Sequence, residues 1–225
     1  MNTVRKYCKD EKECLLIVEG INDCHSIFRL AEKNGCETLF GIWEGGNDAG
    51  ALERFGGLLV ATTPQRPRIM GIVLDADIDQ EDGTKGSMRR WSQIASKLRD
   101  SGYEVPSQPS PNGTIIQGLG GRPKVGVWLM PDNQNAGMLE DFLLELAPRK
   151  TVDYVRTCVQ TARDAGYTSY KDRHESKAIA YTYLAWQNEP GNPFGIAVKA
   201  KFFDANSQSA ANFIAWLKNL FETVN

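Results

Sequence analysis

Histidine is scarce in this chain: His25 and His174 are the only two in 225 residues, and neither has a Ser or Cys nucleophile at a recognisable spacing. A Ser-His or Cys-His hydrolytic mechanism is therefore poorly supported. Long apolar runs are missing too. The longest, such as 14–18 and 125–130, fall far short of the roughly 20 residues that cross a bilayer, so neither a membrane span nor a membrane partner is expected. Arg5, Lys6, Lys9, Asp10 and Glu11 stand where a secretory signal needs an apolar stretch. Cysteine shows no framework: Cys8, Cys14, Cys24, Cys36 and Cys158 are odd in number and contain no Cys-x-x-Cys pair. Reduced thiols in a cytoplasmic protein are the expectation. Cys24, His25 and Cys36 match no tetrahedral zinc spacing. An excess of charge is lacking as well, with 26 Lys+Arg against 28 Asp+Glu, so any attraction to nucleic acid must be local. Internal repeats and low-complexity stretches are absent.

What remains is an ordinary globular balance, 41% hydrophobic and 24% charged, in a length suited to one large domain. Residues 14–18 form a continuous apolar run and read as a strand buried on both faces. A helix follows, capped by Asp23, with Ile27, Leu30 and Ala31 at helical spacing and a stop at Asn34-Gly35. Residues 38–43 read as a second strand, 44–47 as a Gly-rich turn, and 49–61 as a helix turning Leu52, Phe55, Leu58 and Leu59 inward, ended by Pro64 and Pro67. A third strand at 69–74 and a helix at 88–99 complete a βαβαβα alternation, which implies a parallel sheet with helices on both faces. Residues 103–124 are rich in Pro, Gly, Ser and Asn and allow only a short strand near 114–117. Gly118 to Gly121 precede a strand, not a helix, and read as turn chemistry rather than a phosphate loop. A fourth strong strand at 125–130 is followed by helices at 138–146, 152–165, 175–187 and 210–224. Trp91, Trp128, Trp186 and Trp216 read as core aromatics, with base stacking as the alternative.

Carboxylates stand just past the C-terminal ends of these strands: Glu19 after the first, Asp75 and Asp77 after the third. That edge is where open α/β sheets place their sites. Strand alternation would point Asp75 and Asp77 to one side, where two converging anions call for a cation. Hard oxygen donors favour Mg²⁺ or Mn²⁺ over zinc; the bland alternative is that the two aspartates cap a turn. Glu140 and Asp141 add a third acidic position at the first turn of a helix, where acids are favoured in any case.

Val18-Glu19-Gly20-x-x-Asp23 and Leu74-Asp75-Ala76-Asp77 resemble the two signature motifs of the Toprim domain. Gly137-Met138-Leu139-Glu140-Asp141 and Lys177 point, within that superfamily, toward the OLD-like nucleases, and from Glu13 onward the chain is similar to small standalone Toprim-like proteins. The resemblance implies one Toprim-like, Rossmann-like α/β domain over 1–225, with a core of about 13–147 and a helical C-terminal extension of about 148–225. It implies Glu19 as the acid/base or metal-ligating glutamate, Asp75 and Asp77 as ligands of Mg²⁺ or Mn²⁺, Asp23 and Glu140 as ligands of a second ion, and Lys177 as stabiliser of phosphate charge. A metal-dependent nuclease or phosphotransfer protein acting on DNA or RNA is the expected function. No Walker A sequence, ATPase domain or topoisomerase tyrosine domain is recognisable, so a separate protein partner is the expected source of targeting.

Setting aside Glu19, Asp23, Asp75, Asp77 and Glu140 leaves 23 of the 28 acids against 26 bases. Arg66, Arg68, Lys85, Arg89 and Arg90 flank the third strand and its helix, where they either meet phosphates or form a solvated face. Lys177 lies beside a packed helical face, where a lysine commonly just snorkels. An apolar strand ending in Asp-x-Asp also resembles the first motif of haloacid-dehalogenase-type phosphatases, although Asp79 stands where their hydroxyl residue is expected. A non-catalytic binding module is the third reading.

Overall fold

The computed structural model describes residues 8, 9, 11–63 and 66–222. Strand β1 (Cys14–Val18) leads into helix α1 (Ile21–Lys33), and β2 (Gly41–Glu44) into α2 (Asp48–Val60). Strand β3 (Ile69–Asp75), helix α3 (Gly86–Asp100), the short β4 (Thr114–Ile116) and β5 (Lys124–Met130) complete the sheet region. Five helices follow: α4 (Leu139–Glu145), α5 (Arg149–Asp164), α6 (Glu175–Ala185), α7 (Phe194–Lys199) and α8 (Gln208–Phe221), with a 3₁₀ turn at Asp172–His174. The sheet order is β2-β1-β3-β5-β4, parallel except for β4, which pairs antiparallel to β5.

β1 is apolar throughout because it is central and covered twice. Leu15 and Ile17 join Met70, Ile72, Leu74, Val125, Val127 and Leu129 under α2 and α3. Leu16 and Val18 join Val73, Trp128 and Met130 under α1 and the C-terminal helices. The α2 side chains expected to turn inward, Leu52, Phe55, Leu58 and Leu59, are buried against the sheet, and Asn47 caps the helix by accepting from Gly50 N at 2.8 Å.

The chain leaves β1 for β2 and then crosses back over β1 to reach β3. This reversal opens a crevice between the C-terminal ends of β1 and β3, the place where open α/β sheets hold ligands.

Helix α8 lies directly on the sheet because two glycines face each other there, Gly71 on β3 and Gly126 on β5. A Cβ on Gly126 would stand 2.3 Å from Leu220 Cδ2, and one on Gly71 would stand 2.6 Å from Leu16 Cδ1. Gly126→Ala is expected to cost about 1–3 kcal/mol by overpacking, read as a lowered urea midpoint. An unchanged midpoint would show that α8 moves aside freely.

Four sequence expectations need correction. Strand β2 starts at Gly41, not at 38, because the residues after α1 form a turn in which Leu39 N donates to Cys36 O. Helix α7 and the 3₁₀ turn escape the sequence reading, being too short for a helical period to show. Trp186 is 46% exposed and leans on the exposed Tyr154, whereas Trp91, Trp128 and Trp216 are buried. The thiols are not all reduced: Cys8 and Cys24 form a disulfide. Lys9 bridges antiparallel to Trp43 at the sheet edge, which brings Cys8 beside α1, a proximity no spacing reveals. The helix stop at Pro64 and the helix end at Val224 lie outside the described residues. Among the described residues, no helix is long and apolar enough to cross a membrane.

Candidate functional site

The crevice between β1 and β3 gathers carboxylates from four segments. Glu19, in the turn after β1, reaches across so that its Oε1 accepts from the backbone N–H of Asp75 at 2.7 Å. Asp75 ends β3, and its Oδ1 accepts from Leu139 N, the first residue of α4, at 2.9 Å. Asp23 takes part in capping α1, as the sequence suggests, but not from the N-cap position, which Gly20 fills. The aspartate occupies the third helical position and accepts from Gly20 N at 3.2 Å, which places it under the turn that carries Glu19. Glu140, in the first turn of α4, is 4% exposed.

These groups repel one another in a poorly hydrated place. Burial, reinforced by Asp77 and Asp48, pushes Glu19 up to about 7, although the Asp75 N–H and Arg90 pull it down. Burial, with Glu19 and Glu140 beside it, raises Asp23 to about 7. Asp75 is lifted well above the usual carboxylate range by burial and by Asp23, Glu19 and Glu140. Glu140 is raised by burial and partly relieved by Lys177. That lysine is exposed on the first turn of α6, which Ser176 ties to α4 by donating from Oγ to Asp141 Oδ1 at 2.5 Å. Asp141 Oδ2 accepts from Met138 N at 2.9 Å, so this aspartate is spent on joining the two helices.

Asp77 bears on Glu19 through its charge but is tied to two arginines, and strand alternation does not set it beside Asp75 as the sequence suggests. β3 ends at Asp75, and Asp77 adopts φ 61° while exchanging two backbone hydrogen bonds of 2.9 Å with Gly137. The left-handed turn ends the alternation. Asp77 Oδ2 accepts from Arg90 Nη2 at 2.6 Å and from Arg89 Nη2 at 2.8 Å. Arg90 also donates from Nη1 to Asp48 Oδ2 at 2.9 Å and to Gln93 Oε1 at 3.1 Å, and from Nε to the carbonyl of Asp75 at 3.0 Å. Burial pushes Asp48 up, but its bond to Arg90 outweighs this and holds it below its usual value. Gly86, at the start of α3, permits the packing: a Cβ there would lie 2.5 Å from Ala76 O and 2.6 Å from Asp77 O.

A family model described as "Protein of unknown function (DUF3226)" matches residues 13–222. The chain belongs to this family. Among solved structures, it is similar to the C-terminal region of the Burkholderia pseudomallei OLD protein, with a TM-score of 0.51 and 14% identity over 93% of this chain and 98% of that one. At that identity the likeness is one of fold. No curated protein matches the sequence.

In this family member, the bases near β3 mostly serve the fold. Arg66 donates to Gly121 O at 2.5 Å, Lys85 pairs with Asp79 at 2.6 Å, and Arg89 and Arg90 hold Asp77. Arg66 and Arg68 precede β3 and so lie at the end of the sheet away from the carboxylates. Arg90 is the residue the sequence reading undervalued, since it is 2% exposed rather than part of a solvated face. Its signal was readable: Arg90 falls on the stripe of Ser87, Trp91, Ile94 and Leu98, and a charge on an apolar face needs a buried partner.

Among the described residues, no three His, Cys, Asp or Glu side chains form a group ready to hold a metal ion. Binding of an ion therefore requires the carboxylates to draw inward. Their chemistry fits one: the donors are all oxygen, mutually repelling, and among the described residues neither Glu19 Oε2 nor Asp75 Oδ2 accepts a hydrogen bond. Hard donors of this kind suit Mg²⁺ or Mn²⁺.

Proposed function

We propose that this protein is a divalent-metal-dependent phosphodiesterase of OLD-like, Toprim type that acts on nucleic acid, with Mg²⁺ or Mn²⁺ held by Asp75, Asp23, Glu140 and Glu19. The observation that carries the reading is the convergence of four carboxylates from four segments at the switch point of the sheet, with Lys177 facing Glu140. The motifs around Glu19 and Asp75 and the fold shared with the OLD protein's C-terminal region support it. A bound divalent ion would polarise the phosphate and lower the pKa of a bound water.

The protein's own residues supply the rest. Glu19, partly exposed at the crevice and oriented by the Asp75 N–H, would either complete the ion's ligands or take a proton from the attacking water. Lys177 places an ammonium where negative charge builds on the phosphate. The N–H groups of Asp75 and Leu139 fix the orientation of Glu19 and Asp75. Turnover should be weak and salt-sensitive, because Arg66, Lys85, Arg89 and Arg90, among the bases that flank β3, are engaged within the protein and are not free to grip a phosphate backbone. A separate protein partner would then supply grip and targeting.

The phosphatase reading is not favoured. Asp77, which would have to exchange protons with the leaving group, is held by two arginines, and Asp79 is paired with Lys85. The test is an assay at low ionic strength with single-stranded DNA, double-stranded DNA, RNA and a phosphate monoester, each with Mn²⁺, Mg²⁺ or EDTA. Cleavage of a polynucleotide that EDTA abolishes is expected. Turnover of the monoester alone would establish a phosphatase, and metal binding without turnover would establish a binding module.

A further inference from the structure

Among the described residues, Arg90 is the only buried basic side chain, and apart from Gln93 on its own helix the acceptors it meets lie around the candidate site. Its planar fork reaches three elements. Nε holds the carbonyl of Asp75 at the end of β3, Nη1 holds Asp48 on the first turn of α2, and Nη2 holds Asp77 in the loop that follows β3. We infer that Arg90 is a positioning residue that sets the backbone of Asp75 for ion binding, and that its salt bridge withdraws Asp77 from the ion's ligands and makes it an anchor. This division between the two aspartates rests on the reading of the site as a divalent-metal site.

Three observations carry the inference. Asp77 Oδ2 accepts from two guanidinium groups, so its charge is already matched, whereas Asp75 receives a single backbone N–H and faces Asp23, Glu19 and Glu140. The backbone of Asp77 is pinned by its two bonds to Gly137, so swinging the side chain to the cluster means breaking that pairing or abandoning the arginines. Pulling Asp77 away would also strip a buried guanidinium of its shortest contact, and uncompensated buried charge is costly. A lysine could not replace Arg90, since a point-like ammonium cannot span acceptors on three separate segments in one plane.

The test compares Asp75→Asn, Asp77→Asn and Arg90→Lys by thermal melting at pH 8 in EDTA and by Mn²⁺ calorimetry. Asp75→Asn keeps the acceptor for Leu139 N and removes one repelling charge, so its Tm should rise. Asp77→Asn removes the charge that balances Arg90, so its Tm should fall, by about 4 °C or more. Mn²⁺ affinity should drop about tenfold or more in Asp75→Asn and change by less than about threefold in Asp77→Asn. Arg90→Lys should keep a native circular-dichroism spectrum at 20 °C yet bind Mn²⁺ about tenfold more weakly, the loss typical when a partner that orients a ligand is removed.

Equal losses of Mn²⁺ affinity in the two aspartate variants would make Asp77 a ligand and overturn the inference, as would a raised Tm for Asp77→Asn. Parental Mn²⁺ affinity in a folded Arg90→Lys protein would overturn the positioning role. If the parent itself binds no Mn²⁺, the metal-site reading fails, and the opposite signs of the two Tm shifts still decide whether Asp77 belongs to the clamp or to the repelling cluster.

Discussion

Raising the pH from 5 to 8 in EDTA should lower the unfolding free energy of the protein by on the order of 3 kcal/mol. Glu19 and Asp23 both rise to about 7 in the folded chain, from ordinary values of 4.5 and 3.8, and Asp75 and Glu140 move the same way. Between those ordinary values and about 7, the folded protein keeps protons that the unfolded chain has released. Stability therefore falls as pH rises through this window. Glu19 alone accounts for on the order of 3 kcal/mol at 1.36 kcal/mol per unit. Asp23, raised first by its own burial and then by Glu19, acts in the same direction.

Mn²⁺ should reverse the loss at pH 8, where it substitutes for the missing protons, and do little at pH 5, where protons compete with it. Urea denaturation across the pH range, with and without Mn²⁺, measures both effects. A profile that is flat or rises from pH 5 to 8 would show that the four carboxylates separate and hydrate, and that the cluster is not held together.

The second large effect concerns turnover. Glu19→Gln should cut polynucleotide cleavage by about 10²–10⁴, the range for loss of a positioned acid or base. Lys177→Ala should cut it by about 10², as for loss of one group that stabilises transition-state charge. Oligonucleotide affinity should change by less than about threefold in each, because both groups act on charge that develops only as the phosphate reacts. Glutamine keeps the oxygen that accepts from Asp75 N at 2.7 Å, so the loss would not come from collapse of the crevice. Single-turnover rates beside fluorescence-anisotropy titrations separate rate from binding. Cleavage undiminished in Glu19→Gln would point to a different site or a contaminating nuclease, and a loss confined to affinity would make Glu19 and Lys177 binding residues.

Several features were legible residue by residue. The unbroken apolar run Cys14–Val18 announced a strand covered on both faces, and β1 is central. Leu52, Phe55, Leu58 and Leu59 announced the inward face of α2. Glu19 and Asp75 stood just past two strands predicted to be parallel, which placed them at one edge before any contact was known, and they now share a hydrogen bond. The Cys8–Cys24 disulfide, the exposure of Trp186 and the parting of Asp77 from Asp75 were not legible in the same way. Each depends on which distant segment arrives beside the residue.

The sequence by itself determined the βα alternation, the largely parallel sheet and the acidic rim, because alternation and helical spacing are properties of single elements and show within five to fifteen residues. The tertiary structure alone decided which carboxylates converge. Strand order brought β1 beside β3, α4 carried Glu140 to Asp75, and one left-handed residue turned Asp77 toward a buried arginine on α3. Convergence is a matter of distances between segments, which follow from strand order and loop dihedral angles and not from the period of any one element.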